Sequence, residues 1–110
     1  MSARRVIFLI LCLLFGGMAS PAQTQTADPA AGEAYAEKVC AQCHAIHPGG
    51  LSPEPTAPPF KKVANTPGMT DTALRVWLTT SHPTMPNIVV DPQDMDNVIA
   101  YILTLKDKQQ

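Results

Sequence analysis

The sequence of 110 residues is poor in cysteine, aromatic side chains and basic charge. Its three cysteines, Cys12, Cys40 and Cys43, are too few for the disulfide framework of a small secreted scaffold. Eight basic residues stand against nine acidic ones without a basic stripe, which argues against nucleic acid as a partner. A chain of this length is expected to form one domain and to bury only a small apolar core of its own.

The start of the chain predicts a signal peptide over residues 1–22. Two arginines precede an apolar run at 6–18, and Ser20 and Ala22 occupy the −3 and −1 positions of a small-residue cleavage site. The apolar run is shorter than the roughly 20 residues that span a bilayer. We therefore expect export to the periplasm with no stable membrane insertion after cleavage. An uncleaved anchor is the alternative.

The mature chain is expected to begin with a flexible polar lead, residues 23–27, followed by one domain, residues 28–110. Cleavage removes two of the eight basic residues and none of the nine acidic ones, so the mature formal charge is 6 − 9 = −3. Cys12 leaves with the signal peptide. The two cysteines that remain both belong to one short motif.

Cys40, Cys43 and His44 form a C-x-x-C-H motif, which is the attachment signature of c-type haem. Two thiols three positions apart can each form a thioether to a vinyl group of one porphyrin, and the adjacent imidazole can bind the iron. Two other interpretations compete with this one. A thioredoxin-like pair needs a strand–helix context, and no strand pattern precedes Cys40. Structural zinc needs four ligands; besides the two cysteines only His44, His47 and His82 are candidates, and the H-x₃₋₅-H pairing of such sites is absent.

A second chemical site is predicted in the loop at 81–87, Ser-His-Pro-Thr-Met-Pro-Asn. Met85 lies on this proline-flanked loop, and its thioether would be a suitable sixth ligand because soft sulfur favours ferrous iron. His82 in the same loop is the main competitor. Met69 in a Pro-Gly turn and Met95 on an apolar helix face are weaker candidates. An open position or another ligand is the remaining alternative.

Capping signals and apolar periodicity predict three main helices. Asp-Pro pairs open helices at residues 29–40 and from 92 onward, and a threonine caps a helix at 71–80. The last helix has an apolar face formed by Met95, Val98, Ile99, Ile102 and Leu105. Five prolines and two glycines make residues 45–60 a loop, and a short helical turn follows at 61–65.

With these motifs, the chain resembles the class I cytochromes c, the small single-haem electron carriers. The resemblance covers residues 28 to about 108 and rests on the C-x-x-C-H motif and on Met85-Pro86 before the last helix. Gly32 stands where the first and last helices of that family cross, and Ala36 replaces the aromatic usually found four residues later. The resemblance implies an all-α class I cytochrome c fold, with three main helices and long loops around one covalently bound haem.

The resemblance implies roles for further residues. In the family, a proline carbonyl after the motif accepts the other ring N–H of the iron-binding histidine; Pro58 matches it best, and Pro59 is the alternative. Trp77 matches a tryptophan whose indole N–H contacts a haem propionate, with simple core packing as the alternative. His47 is expected to be a solvated loop histidine, with a proton-linked role near a propionate as the alternative.

The function that the resemblance implies is one-electron transport in the periplasm. One haem c, held through Cys40 and Cys43 with His44 and Met85 as axial ligands, would cycle between Fe(III) and Fe(II) in a monomer that meets its redox partners transiently. Iron with both axial positions filled has no site for a substrate, which favours a carrier over an enzyme. Two alternatives are a haem-bearing subunit of a periplasmic dehydrogenase complex and a haem enzyme or gas sensor with a labile distal ligand.

Overall fold

The computed structural model describes residues 25–108, and the predicted signal peptide lies outside this range. No strand occurs within it, so the all-α prediction is confirmed. No helix in the same range is long and apolar enough to cross a membrane. The helices of residues 25–108 are α1 (Pro29–Val39), α2 (Phe60–Ala64), α3 (Asp71–Thr79) and α4 (Pro92–Thr104). Each helix start or end that the sequence predicted lies within one residue of the observed position.

Side-chain caps determine where the longer helices begin. The Asp28 carboxylate accepts the Ala30 N–H at 2.9 Å, and the Thr70 hydroxyl accepts the Ala73 N–H at 3.1 Å. Asp91 caps α4 in the same way. Each cap satisfies a backbone donor that has no partner inside the helix, and in α1 and α4 a proline follows at the first helical position, where no N–H is needed.

Helices α1 and α4 cross in close contact at Gly32. A Cβ atom at this position would meet the backbone carbonyl of Asn97 and would lie 2.9 Å from the Val98 nitrogen. The buried side chain of Asn97 also accepts the Asp28 N–H at 2.8 Å. The beginning of α1 is therefore fixed against the middle of α4, at the glycine that the sequence indicated.

The apolar core surrounds α4. Helix α2 contributes Phe60 and Ala64, α3 contributes Leu74, and the Arg75 guanidinium binds the Asp96 carboxylate of α4 at 2.6 Å. The buried members of the core are Ala36, Ile46, Phe60, Ala64, Met69, Leu74, Met95, Val98, Ile99, Tyr101 and Ile102. Helix α4 supplies the largest share of this core, and the other three helices pack around it.

We expect Gly32→Ala to lower the free energy of unfolding by about 2 kcal/mol, because the added methyl group overlaps the Asn97 backbone, which cannot rotate away. The better helix propensity of alanine, about 1 kcal/mol, offsets only part of this cost. Chemical unfolding of the purified protein measures the change. Gly50→Ala is the control, since its Cβ would lie at an ordinary 3.4 Å from that of Ala45. Unchanged stability of Gly32→Ala would show that the helices can separate here without cost.

Candidate functional site

The C-x-x-C-H motif occupies a helical turn that continues from the end of α1. The Cys40 N–H donates to the Ala36 carbonyl at 2.8 Å, and the N–H groups of Cys43 and His44 donate to the Cys40 carbonyl at 3.1 and 2.9 Å. Cys40 and Cys43 are both free thiols and partly buried. One turn of backbone therefore holds the two thiols and the imidazole together, and both sulfurs are available for thioether bonds.

The surroundings of the motif argue against its two competing interpretations. Burial raises the pKa of the Cys40 thiol to about 11, whereas a thiol–disulfide pair needs a lowered pKa because the thiolate is the nucleophile. Within residues 25–108, only Glu33, Glu37 and His47 form a group of three or more His, Cys, Asp or Glu side chains that could hold a metal ion. That group does not include Cys40 or Cys43, so a structural zinc site at the motif is not supported.

His44 is oriented by the loop that follows it. Its Nδ1 lies 2.7 Å from the carbonyl oxygen of Pro58, which can only accept a hydrogen bond, so Nδ1 carries the proton. The lone pair on Nε2 is then free to bind a metal. The Phe60 ring lies beside the imidazole, with the centroids 5.4 Å apart. Pro59, the alternative acceptor, receives the Val63 N–H at 3.0 Å.

Further hydrogen bonds hold this loop on the motif. The Ala45 N–H donates to the Ser52 hydroxyl at 3.0 Å, and the Ala45 carbonyl accepts the Phe60 N–H at 2.9 Å. The Glu54 N–H donates to the Cys43 carbonyl at 3.2 Å. A segment whose prolines prevent regular structure thus follows a fixed path, which keeps the Pro58 carbonyl in place.

The loop between α3 and α4 contains Met85 and lies beside Trp77. The Trp77 ring stacks on His82, with centroids 4.3 Å apart and an angle of 27° between the planes. Trp77 is 57% exposed and so lies outside the core, although Leu74 on the same helix is buried. Core packing alone, the alternative for Trp77, therefore does not describe this residue. Met85 itself is partly buried.

His47 has partners that sequence reasoning missed. The residue is exposed, as expected, but its Nδ1 lies 3.3 Å from both the Glu33 carboxylate and the Tyr101 hydroxyl. Its Nε2 lies 3.6 Å from the Glu37 carboxylate. The two glutamates are one turn apart on α1, and this spacing was the signal that could have indicated a shared partner.

The donor groups fit a covalently attached haem. Two free thiols have the required spacing, and the imidazole of His44 has one nitrogen engaged by a carbonyl and the other available. A partly buried thioether, Met85, lies on a proline-flanked loop next to Trp77, whose ring offers an exposed apolar surface. Nothing in this set conflicts with a porphyrin bound at the motif.

Comparisons with known proteins agree with this chemistry. The family model described as "Cytochrome C oxidase, cbb3-type, subunit III" matches residues 27–102. Cytochrome c-552 from Bradyrhizobium diazoefficiens is 28% identical over 96 residues, which cover 87% of this chain and 92% of that protein. No solved structure gives a significant match. The matched residues include the whole C-x-x-C-H motif, the loop after it and the Met85 loop.

Replacement of both cysteines, C40A together with C43A, is expected to abolish covalent haem attachment, because the two thioethers are the covalent links. Haem staining after denaturing electrophoresis and intact mass measure the attachment. Gln42→Ala is the matched control, since Gln42 lies between the cysteines, is exposed and supplies no thiol. Retention of the stain by the double variant would contradict attachment through these residues.

Proposed function

We propose, because this chain belongs to the family of cytochrome c oxidase, cbb3-type, subunit III, that it is a periplasmic one-electron carrier with His44 and Met85 as axial iron ligands. The family implies a covalently bound haem c, and Cys40 and Cys43 are the residues that attach it. The bound haem supplies one-electron chemistry between Fe(III) and Fe(II). The side chains of this chain hold the haem and set how readily it accepts an electron.

The observation that carries the proposal is the 2.7 Å contact between His44 Nδ1 and the Pro58 carbonyl. A hydrogen bond to the outer nitrogen fixes the tautomer and the ring orientation of a metal-binding histidine, and it increases the basicity of the inner nitrogen. Phe60 further restricts the ring, because it packs beside it. The orientation that this loop gives His44 supports its proposed role as a ligand.

Met85 is proposed as the distal ligand. The other two methionines of the described range, Met69 and Met95, are 9% and 6% exposed and belong to the core. The ring of His82, the competing ligand, stacks on Trp77. Protein side chains would then fill both axial positions, and an iron without an open position favours a carrier over an enzyme or gas sensor.

The surface near the motif suits transient electron exchange. Cys40 and Cys43 are only partly buried, and we propose that electrons leave through the haem edge that they hold. Trp77 is the proposed indole donor to a propionate, because its ring lies outside the core. The mature chain has a formal charge of −3 and no lysine-rich ring. The ammonium group of Lys61 is paired with the Asp107 carboxylate at 2.8 Å. We propose a monomer with small, short-lived contacts to its partners.

Met85→Leu is expected to remove the weak red charge-transfer band of iron–sulfur ligation from the ferric optical spectrum. It should also lower the reduction potential, because a thioether ligand favours ferrous iron. Leucine has nearly the volume of methionine, so packing changes little. The protein is made with a c-haem maturation system and measured by optical spectroscopy and redox titration.

Met69→Leu is the matched control for this experiment, since it makes the same chemical change in the core and should leave the band intact. A parent protein without the red band would contradict Met85 ligation. In that case His82→Ala distinguishes imidazole ligation, which the substitution would remove, from an open position, which would bind carbon monoxide or cyanide readily.

Export is tested by fractionation of cells that make the full chain. We expect the haem protein in the periplasmic fraction, as a monomer in gel filtration, with Gln23 as the first residue by mass spectrometry. The matching family model describes an oxidase subunit, so the second candidate function is a haem-bearing subunit of a larger complex. Haem protein that sediments with membranes and elutes with other chains would support that candidate and contradict the free carrier.

A further inference from the structure

We infer that Tyr101 is a positioning residue for His44, an inference that rests on the proposed role of His44 as an iron ligand. Tyr101 lies on α4 and is only 6% exposed. Its hydroxyl donates to the carbonyl of Ile46 at 3.0 Å, and Ile46 is two residues beyond His44. The hydroxyl therefore acts on the short backbone segment that begins with the ligand.

Two other contacts join this segment to the far end of the loop. His44 Nδ1 donates to the Pro58 carbonyl at 2.7 Å, and the Ala45 carbonyl accepts the Phe60 N–H at 2.9 Å. The first bond lies within the motif and its loop and the second reaches the first residue of α2, so neither bonds this segment to α4 directly.

The contact between Ile46 and Tyr101 provides the direct hydrogen bond to α4. Residues 44, 45 and 46 each make one of the three hydrogen bonds, and only the third reaches α4. Ile46 is buried, at 5% exposure, so water cannot readily replace the tyrosine as the donor to its carbonyl. Loss of the hydroxyl would leave that carbonyl without its hydrogen-bond donor on α4, and the segment could then shift.

The surroundings of the hydroxyl keep it a donor. Burial, and then the negative charge of Glu33, raise the pKa of Tyr101, so the group stays protonated at neutral pH. His47 Nδ1 lies 3.3 Å from the same oxygen, and Glu33 lies 3.5 Å from it. A hydroxyl can donate once, and the Ile46 carbonyl at 3.0 Å is a nearer acceptor than the Glu33 carboxylate at 3.5 Å, so Tyr101 donates to Ile46 and can accept from His47. The Tyr101 hydroxyl of α4 thus contacts both α1, through Glu33, and the loop, through Ile46 and His47.

The test is Tyr101→Phe in the ferrous holoprotein, with NMR measurement of the exchange rate of the His44 Nδ1 proton. Without the hydroxyl, the bond between His44 and Pro58 should open more often and the proton should exchange about fivefold faster, the change expected for one ordinary hydrogen bond. The reduction potential should rise, because a looser bond leaves the imidazole a weaker donor to Fe(III). A merely structural role would change stability but leave the potential at its parental value.

Tyr35→Phe is the matched control, because Tyr35 packs against the same core from α1 and the variant loses the same atom. Its exchange rate and potential should equal those of the parent. Parental values in Tyr101→Phe would overturn the positioning role. Absence of a haem ring-current shift on His44 in the parent would instead show that His44 is not the ligand, and the proposed function would fail as well.

A measurement on the parent protein tests the inference without any variant. If one opening of the segment releases both bonds, the Tyr101 hydroxyl proton and the His44 Nδ1 proton should show similar protection from exchange. Free exchange of the Tyr101 hydroxyl beside a protected His44 proton would show that the two bonds are independent, which would overturn the inference.

Discussion

The close approach of α1 and α4 at Gly32 is the constraint on which the rest of the structure depends. Helix α1 ends where the haem-attachment turn begins, and α4 supplies much of the core and the hydroxyl of Tyr101. Because the backbones touch at Gly32 and Asn97 binds the start of α1, neither helix can slide along the other. The crossing therefore fixes the position of the attachment turn relative to the core before any loop contributes.

Two proline-rich loops then place the proposed ligands. Proline lowers the number of conformations that an unfolded loop gives up on folding, so a loop without helix or strand can still hold one path. In the loop after the motif, hydrogen bonds from Ala45, Glu54 and Phe60 complete this restriction. A carrier gains or loses charge at the iron with little rearrangement of its ligands, and ligands held on stiff loops suit that requirement.

The sequence predicted the helices well and the site only in part, for different physical reasons. Caps and apolar periodicity are local, so Thr70 and the two Asp-Pro pairs indicated the helix starts to within one residue. The Pro58 contact came from the family resemblance, since spacing alone did not distinguish it from Pro59. Trp77 matches the helical period of Leu74 but lies outside the core, because tertiary packing decides how wide a buried face is. The contacts of His47 join three separate elements, and the one-turn spacing of Glu33 and Glu37 on α1 was their only local signal.

These unpredicted contacts join the chain before the attachment turn to the chain after it. Glu37 lies three residues before the first haem cysteine and His47 three residues after the proposed ligand, and their side chains meet at 3.6 Å. The imidazole thus contacts both carboxylates, which are one turn apart on α1. The Tyr101 hydroxyl binds the adjacent Ile46 carbonyl, so the segment that follows the motif is bonded directly to α4. The loop therefore contacts α1 through His47 and orients His44 through the Pro58 carbonyl.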